Sequence, residues 1–262
     1  MFDWWRERQR EKILRAPFPA AWTQVLERNV KHYARLPPEQ QKTLRELVQV
    51  FVAEKHWEGC GGLALTDEMK VTIAAQACLL VLARPHRLYQ DVESIFVYPS
   101  AVMRPAAQPG VFVRPRELVA SGPTALLGEA HVRGPVILAW DRVLRDGKNP
   151  HDGHNLVYHE FAHKLDMEDG HADGTPELES RAQIQRWREV CERSFLTLQK
   201  RTERGEPSFL DAYGATNEAE FFAVATEQFF DRPRALQRAD EDLYEILAGF
   251  YRQDPASLAP ED

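Results

Sequence analysis

The stretch LVYHEFAHKLDMED, Leu156 to Asp169, sets two histidines four residues apart with a glutamate directly after the first. In an α-helix, residues i and i+4 leave the same face one turn apart. His159 and His163 can therefore reach a single ion. Glu160 lies about 100° around the helix, where it is poorly placed to ligate but well placed to act as general base toward a water at the metal. Two imidazoles for zinc and a carboxylate for the proton is the logic of H-E-x-x-H metallopeptidases. The competing reading is a solvated helix that happens to carry histidines. Against it stand Leu156, Val157, Phe161, Ala162 and Leu165, an apolar setting in which histidines need partners.

A catalytic zinc takes three protein ligands and keeps one position open. One candidate for the third is Asp169, ten residues after His159. The long motif with that spacing needs a glycine at position 166 to turn the chain back. Here position 166 is Asp166, and Gly170 comes too late. Asp166 lies two turns from His159, roughly 10 Å along the axis, and is better suited to hydrogen-bonding a ligand histidine. The other candidate is in YGATNEAEFFAVATEQFF, Tyr213 to Phe230. A helix starting at Thr216 or Asn217 puts Glu220 and Glu227 on one stripe, with the small Ala223 between them. Asn217-x-x-Glu220 also reads as a capping box, in which Glu220 only closes the helix start. Glu218 competes as ligand or as a first-turn charge favoured by the helix dipole. Spacing alone leaves these readings open.

Around these segments, residues 1–83 read as helical. Trp22, Val25, Leu26, Val30 and Tyr33 recur at helical spacing, and Pro37 and Pro38 open a second helix through Val52. The glycine-rich run Trp57 to Leu65 breaks the pattern. Thr66 caps a helix that ends near Pro85. Residues 84–150 are strand-rich, with VESIFVYPS, TALLGEAHV and GPVILAW bounded by glycine and proline. From 151 to 250 helices return, near 155–166, 176–203, 217–230 and 236–250, and a frayed tail covers 251–262. The expectation is one α+β metallopeptidase domain over 1–250, mainly helical, of zincin type, with a small mixed sheet beside the H-E-x-x-H helix. GPVILAW, Gly134 to Trp140, reads either as a core strand or as an edge strand on which an extended peptide pairs. In DWWRERQREKILR, Trp4, Trp5 and Leu14 form a stripe that can pair against the body or against a partner, with packing the expected fate.

The chain has 262 residues, 44% hydrophobic and 28% charged, which argues for a globular rather than a disordered protein. Its net charge of −7 argues against an electrostatic grip on nucleic acid. The longest apolar run, Val71 to Ala83, is too short to span a bilayer. Cys60, Cys78 and Cys191 are widely spaced and form no CxxC, and the N-terminal stretch lacks the apolar core of a signal peptide. These features predict a cytoplasmic protein with no direct nucleic-acid or membrane partner.

The segments HEFAHKLD, TNEAEFF, LTDEM, AAQACLL, VYPS and GPVILAW lie between Trp22 and Phe230, and together they resemble the Mlc titration factor A family of zinc-dependent peptidases. The resemblance implies a gluzincin-like site with one Zn2+ per chain. It maps the ligands to His159, His163 and Glu220, the general base to Glu160 and a catalytic tyrosine to Tyr213, and so favours Glu220 over its capping role. It further implies a peptide or protein substrate, aminopeptidase-like cleavage, and a role in glucose uptake through binding an Mlc-like transcriptional repressor. Two other classes stay beside the peptidase: a regulatory protein that sequesters a repressor, and a protein in which zinc serves structure alone. Glu160 separates the first class from the last, because a structural site has no use for a base.

Overall fold

The computed structural model describes residues 2–84, 88–100, 102–103, 125–126, 128–130 and 134–259. Helices α1 (Phe2–Leu14), α2 (Ala20–Asn29), α3 (Lys31–Arg35) and α4 (Pro38–Glu54) lead into β1 (His56–Gly59) and α5 (Asp67–Leu80). Strands β2 (Ser94–Tyr98), β3 (Val102–Met103), β4 (Ala125–Leu126), β5 (Gly128–Ala130) and β6 (Val136–Ala139) follow. The rest is helical: α6 (Trp140–Lys148), α7 (Leu156–Asp166), α8 (Arg181–Glu203), α9 (Glu218–Asp231), α10 (Pro233–Ala239), α11 (Glu241–Tyr251) and α12 (Pro255–Leu258). The protein is α+β and mainly helical. Its larger sheet runs β1-β2-β6-β5, with β1, β2 and β6 parallel and β5 antiparallel to β6. β3 and β4 form a separate antiparallel pair.

α7 is buried at every position but His159 and packs on α5, α6, α9, β5 and β6. Val157, Tyr158, Phe161, Ala162 and Leu165 are each 0% exposed. Burial of a large apolar side chain contributes roughly 1.5–3 kcal/mol, so this face fixes the helix firmly. α5 is buried along most of its length too, with its polar Thr72 and Gln76 at 0% exposure. Both are satisfied: Thr72 Oγ1 accepts from Asn29 Nδ2 at 3.1 Å, and Gln76 Oε1 accepts from Asn155 Nδ2 at 2.9 Å. Thr66 caps α5 as predicted, accepting from the Met69 N–H at 3.4 Å, and the helix stops at Leu80.

Several expectations are corrected. The run from Trp57 to Leu65 opens inside β1, which starts at His56 and is hidden because it is an edge strand of only four residues with half its positions exposed. Gly59 is required there: a Cβ would sit 2.0 Å from the Leu63 carbonyl oxygen where the chain doubles back. The helix through Trp22 and Tyr33 breaks at Val30 (φ −126°, ψ 90°), which lets Asn29 reach α5 while His32 and Tyr33 turn inward. The helix predicted for 236–250 breaks at Asp240, whose side chain caps α11. The tail is not frayed through 259. α12 is pinned by Tyr244, whose hydroxyl donates to Asp254 Oδ1 at 2.6 Å and accepts from the Ala256 N–H at 3.0 Å.

β6 is not an edge strand, because β2 and β5 flank it. TALLGEAHV contributes Ala125–Leu126 and Gly128–Ala130, and its remaining positions, like Pro85, lie outside the described residues. Trp4 and Trp5 do not pack inward; each is 61% exposed, and Leu14 is 40% exposed. α1 is held by Ile13 against the core and by polar contacts, with Arg10 bidentate on Glu54 at 2.7 and 2.8 Å and Gln49 donating to the Ile13 and Ala16 carbonyls.

Candidate metal centre

Asn155 starts α7, its side-chain oxygen accepting from the Tyr158 N–H at 3.0 Å. From that start, His159 and His163 stack one turn apart with ring centroids 4.9 Å from each other. α9 starts in the same way, with Asn217 Oδ1 accepting from the Glu220 N–H at 2.9 Å. The Glu220 carboxylate does not fold back on the helix start. Its Oε2 lies 3.0 Å from His159 Nε2 and 3.4 Å from His163 Nε2. Glu220 thus meets the cap through its backbone N–H, while its side chain faces the two histidines in place of the capping-box role.

Among the described residues, the side chains that converge as a set of three are His159, His163 and Glu220, with one candidate ligand atom from each lying within 4.8 Å of the others. Two imidazoles and a carboxylate form a donor set that suits zinc and leaves a fourth position open. Asp169 is exposed and turns to the His171 N–H at 2.9 Å. Glu218 is outside the set; its backbone is packed under Gly174 (φ +74°), where a Cβ would meet the Glu218 carbonyl oxygen at 2.4 Å. His151 and His171 are exposed, and His154 is 3.9 Å from Asp211 at the surface.

The expected bond from Asp166 to a ligand histidine is not formed. Asp166 Oδ2 accepts from the Gly174 N–H at 3.0 Å and so ties down the loop after α7. Among the described residues, the buried Asp166 Oδ1 and His163 Nδ1 have no hydrogen-bond partner. The carboxylate that does meet a ligand histidine from behind is Glu227, at 2.7 Å from His159 Nδ1. Sequence reasoning assigned it no role; the signal was its place seven residues after Glu220 on the same stripe.

Burial sets the electrostatics. Glu160 is 4% exposed, and desolvation pushes its carboxyl up to about 7 against the pull of His159. One of its oxygens, Oε2, has no partner. Burial disfavours charge on His159, but hydrogen bonds to Glu220 and Glu227 prevail and push the ring up to about 10. Burial likewise opposes the Glu220 charge, and the two histidines outweigh it, holding the carboxylate well below its usual range. Lys164, one turn after Glu160, is pushed down to about 8 by burial and donates to the Gly134 carbonyl at 3.1 Å, tying α7 to the approach to β6.

Tyr213 sits in a 3₁₀ turn, Ala212–Ala215, started by Asp211, whose Oδ1 accepts from the Tyr213 N–H at 2.7 Å. Its ring centroid is 5.9 Å from that of His159, and the residue is 54% exposed. Burial of the phenol and the nearby Glu220 carboxylate push it up to about 12. It therefore holds its proton at neutral pH and can donate it in a hydrogen bond.

His159, His163 and Glu220 are a set that could hold a metal ion, and the family match points to a metallopeptidase. Residues 2–252 match the family described as glucose-regulated metallo-peptidase M90, and the chain belongs to that family. A Synechocystis protein is 38% identical over 253 residues, covering 96% of this chain and 89% of that protein. Proteins named Mlc titration factor A from Yersinia pestis (strain Pestoides F) and Yersinia pseudotuberculosis (serotype O:1b) are each 31% identical over 241 residues, covering 90% of this chain and 85% of theirs. The family implies a metal, typically zinc, and the names support a peptidase or regulatory role. Among the described residues, no helix is long and apolar enough to cross a membrane.

Proposed function

We propose that this protein is a zinc-dependent peptidase of zincin type, a single domain over 1–250 that holds one Zn2+ on His159, His163 and Glu220. The observation that carries the reading is the Glu220 carboxylate meeting the Nε2 atoms of both histidines while Asn217 caps the helix from which it comes. When bound, zinc supplies Lewis acidity that acidifies water and polarises a peptide carbonyl. Glu160 is the general base: its carboxyl, poised near neutrality by burial, takes a proton from water and passes it to the leaving amine. Tyr213 keeps its proton and donates a hydrogen bond to the oxyanion that develops on the substrate. An extended peptide adds to the free side of β5, which among the described residues is paired only with β6. Backbone pairing of that kind gives affinity with little dependence on sequence.

A regulatory role accompanies the peptidase. The name Mlc titration factor A, carried by relatives, supports an Mlc-like partner, and the family description as glucose-regulated supports a link to glucose. Three unpaired cysteines, Cys60, Cys78 and Cys191, support a cytoplasmic setting. The test is digestion of an unbiased peptide library, read by mass spectrometry, with wild type and Glu160→Gln. Cleavage by wild type alone, abolished by chelation and restored by zinc, supports the peptidase. Equal cleavage by both proteins removes Glu160 as the base. Binding of a purified Mlc-type repressor by a protein that cleaves nothing favours the regulatory reading, with zinc serving structure.

A further inference from the structure

We propose that Glu227 is the positioning residue of the centre, a carboxylate on α9 that closes the start of α7 and orients His159 toward the metal at the same time. The inference rests on the zinc site proposed above. Glu227 has a side chain only 7% exposed, and each of its oxygens has its own donor. Oε1 is 2.7 Å from His159 Nδ1, and Oε2 accepts from the Asn155 N–H at 2.6 Å.

The second bond explains why the residue must come from another helix. Asn155 is the N-cap of α7, and its side chain satisfies the Tyr158 N–H. In a capping box, a glutamate or glutamine three residues on would return a bond to the N-cap backbone N–H. That position here is Tyr158, which cannot accept in that way, so the Asn155 N–H depends on Glu227. The Asn155 amide nitrogen is held in turn by Gln76 of α5, at 2.9 Å. The helix start is thereby fixed from α5 and α9 together.

The first bond sets the ligand. A neutral imidazole that binds metal through Nε2 must carry its proton on Nδ1, and that proton needs an acceptor. Glu227 supplies one for His159, whereas among the described residues none meets the buried His163 Nδ1. The orienting work therefore falls on one histidine. A carboxylate accepts from both donors at once. Glutamine offers one acceptor oxygen and one NH2 group, so it must abandon either His159 Nδ1 or the Asn155 N–H.

Two measurements test this. Zinc affinity by competition with a chromophoric chelator, at a temperature where both zinc-free proteins are folded by circular dichroism, should fall about 10- to 100-fold in Glu227→Gln. Separately, long-range 1H–15N spectra of zinc-loaded wild type should show the His159 Nδ1–H proton shifted downfield and slow to exchange. This second readout needs no variant and so survives a Glu227→Gln protein that fails to fold. Wild-type zinc affinity retained within twofold in a folded Glu227→Gln protein, even with a lower melting temperature, would reduce Glu227 to a structural cap and overturn the proposal. So would a His159 ring protonated on Nε2 in the zinc-loaded protein. Wild type that binds no zinc would instead bring down the metal-site reading itself.

Discussion

α7 supplies His159, Glu160 and His163 from five consecutive positions, whereas α9 brings Glu220 and Glu227 from positions seven apart. On α7 the helical period alone makes the two imidazoles converge, and any intact helix would do so. On α9 nothing converges until the two helices pack. Both begin with an asparagine cap, and on α7 the cap backbone is also closed from outside, by Glu227. The difference teaches that the metal pair is a local property of one helix, while completion and orientation of the site are properties of the packing between two.

That contrast can be broken first on the α7 side. Glu160→Gln removes the base and no proposed ligand, so kcat should fall by about 100- to 10,000-fold with zinc content unchanged. Steady-state hydrolysis of a cleaved library peptide, paired with metal analysis, checks both halves. Tyr213→Phe tests the turn that precedes α9. Loss of an oxyanion donor should lower kcat by about 100- to 1,000-fold, with little change in KM and none in zinc. A variant that raises KM alone would make Tyr213 a substrate-binding residue. Chelation tests whether metal joins the two helices: zinc at about 1,000 times its Kd should stabilise the fold by about 4 kcal/mol, read as a lower melting temperature on adding chelator. An unchanged melting temperature would mean that the metal does not tie α7 to α9. The smallest effect separates the two caps. Asn217→Ala should cost about 1 kcal/mol in chemical denaturation while zinc content stays at the wild-type level. Asn155→Ala should cost more, because it also strips Gln76 Oε1 of its donor.

Much of the α7 side is legible in the sequence, because adjacency and period are written in the chain. The Thr66 cap, the central helices and the strand at Ser94–Tyr98 follow from the same local rules. What is not legible depends on distant partners. β1 is four residues long and gains its identity from pairing with β2. The break at Val30 answers to α5, which accepts the Asn29 side chain. GPVILAW reads the same whether a strand flanks it on one side or two. Asp166 has the right spacing to reach a ligand histidine, but its Oδ2 accepts from the Gly174 N–H, and among the described residues its Oδ1 meets no donor. The exposed tryptophans show the opposite limit, since an apolar stripe states a preference for burial without supplying the surface that would cover it. Glu220 lies between these cases: its spacing allows cap or cluster, and only packing shows that its side chain faces the histidines.

The most direct test of the central claim, that α9 completes the site through Glu220, is zinc content per chain for wild type, Glu220→Ala, Glu218→Ala and Asp169→Ala, purified without chelator. The account predicts one zinc per chain in wild type, Glu218→Ala and Asp169→Ala, and loss of zinc in Glu220→Ala. Zinc retained by Glu220→Ala but lost from Asp169→Ala or Glu218→Ala would contradict it.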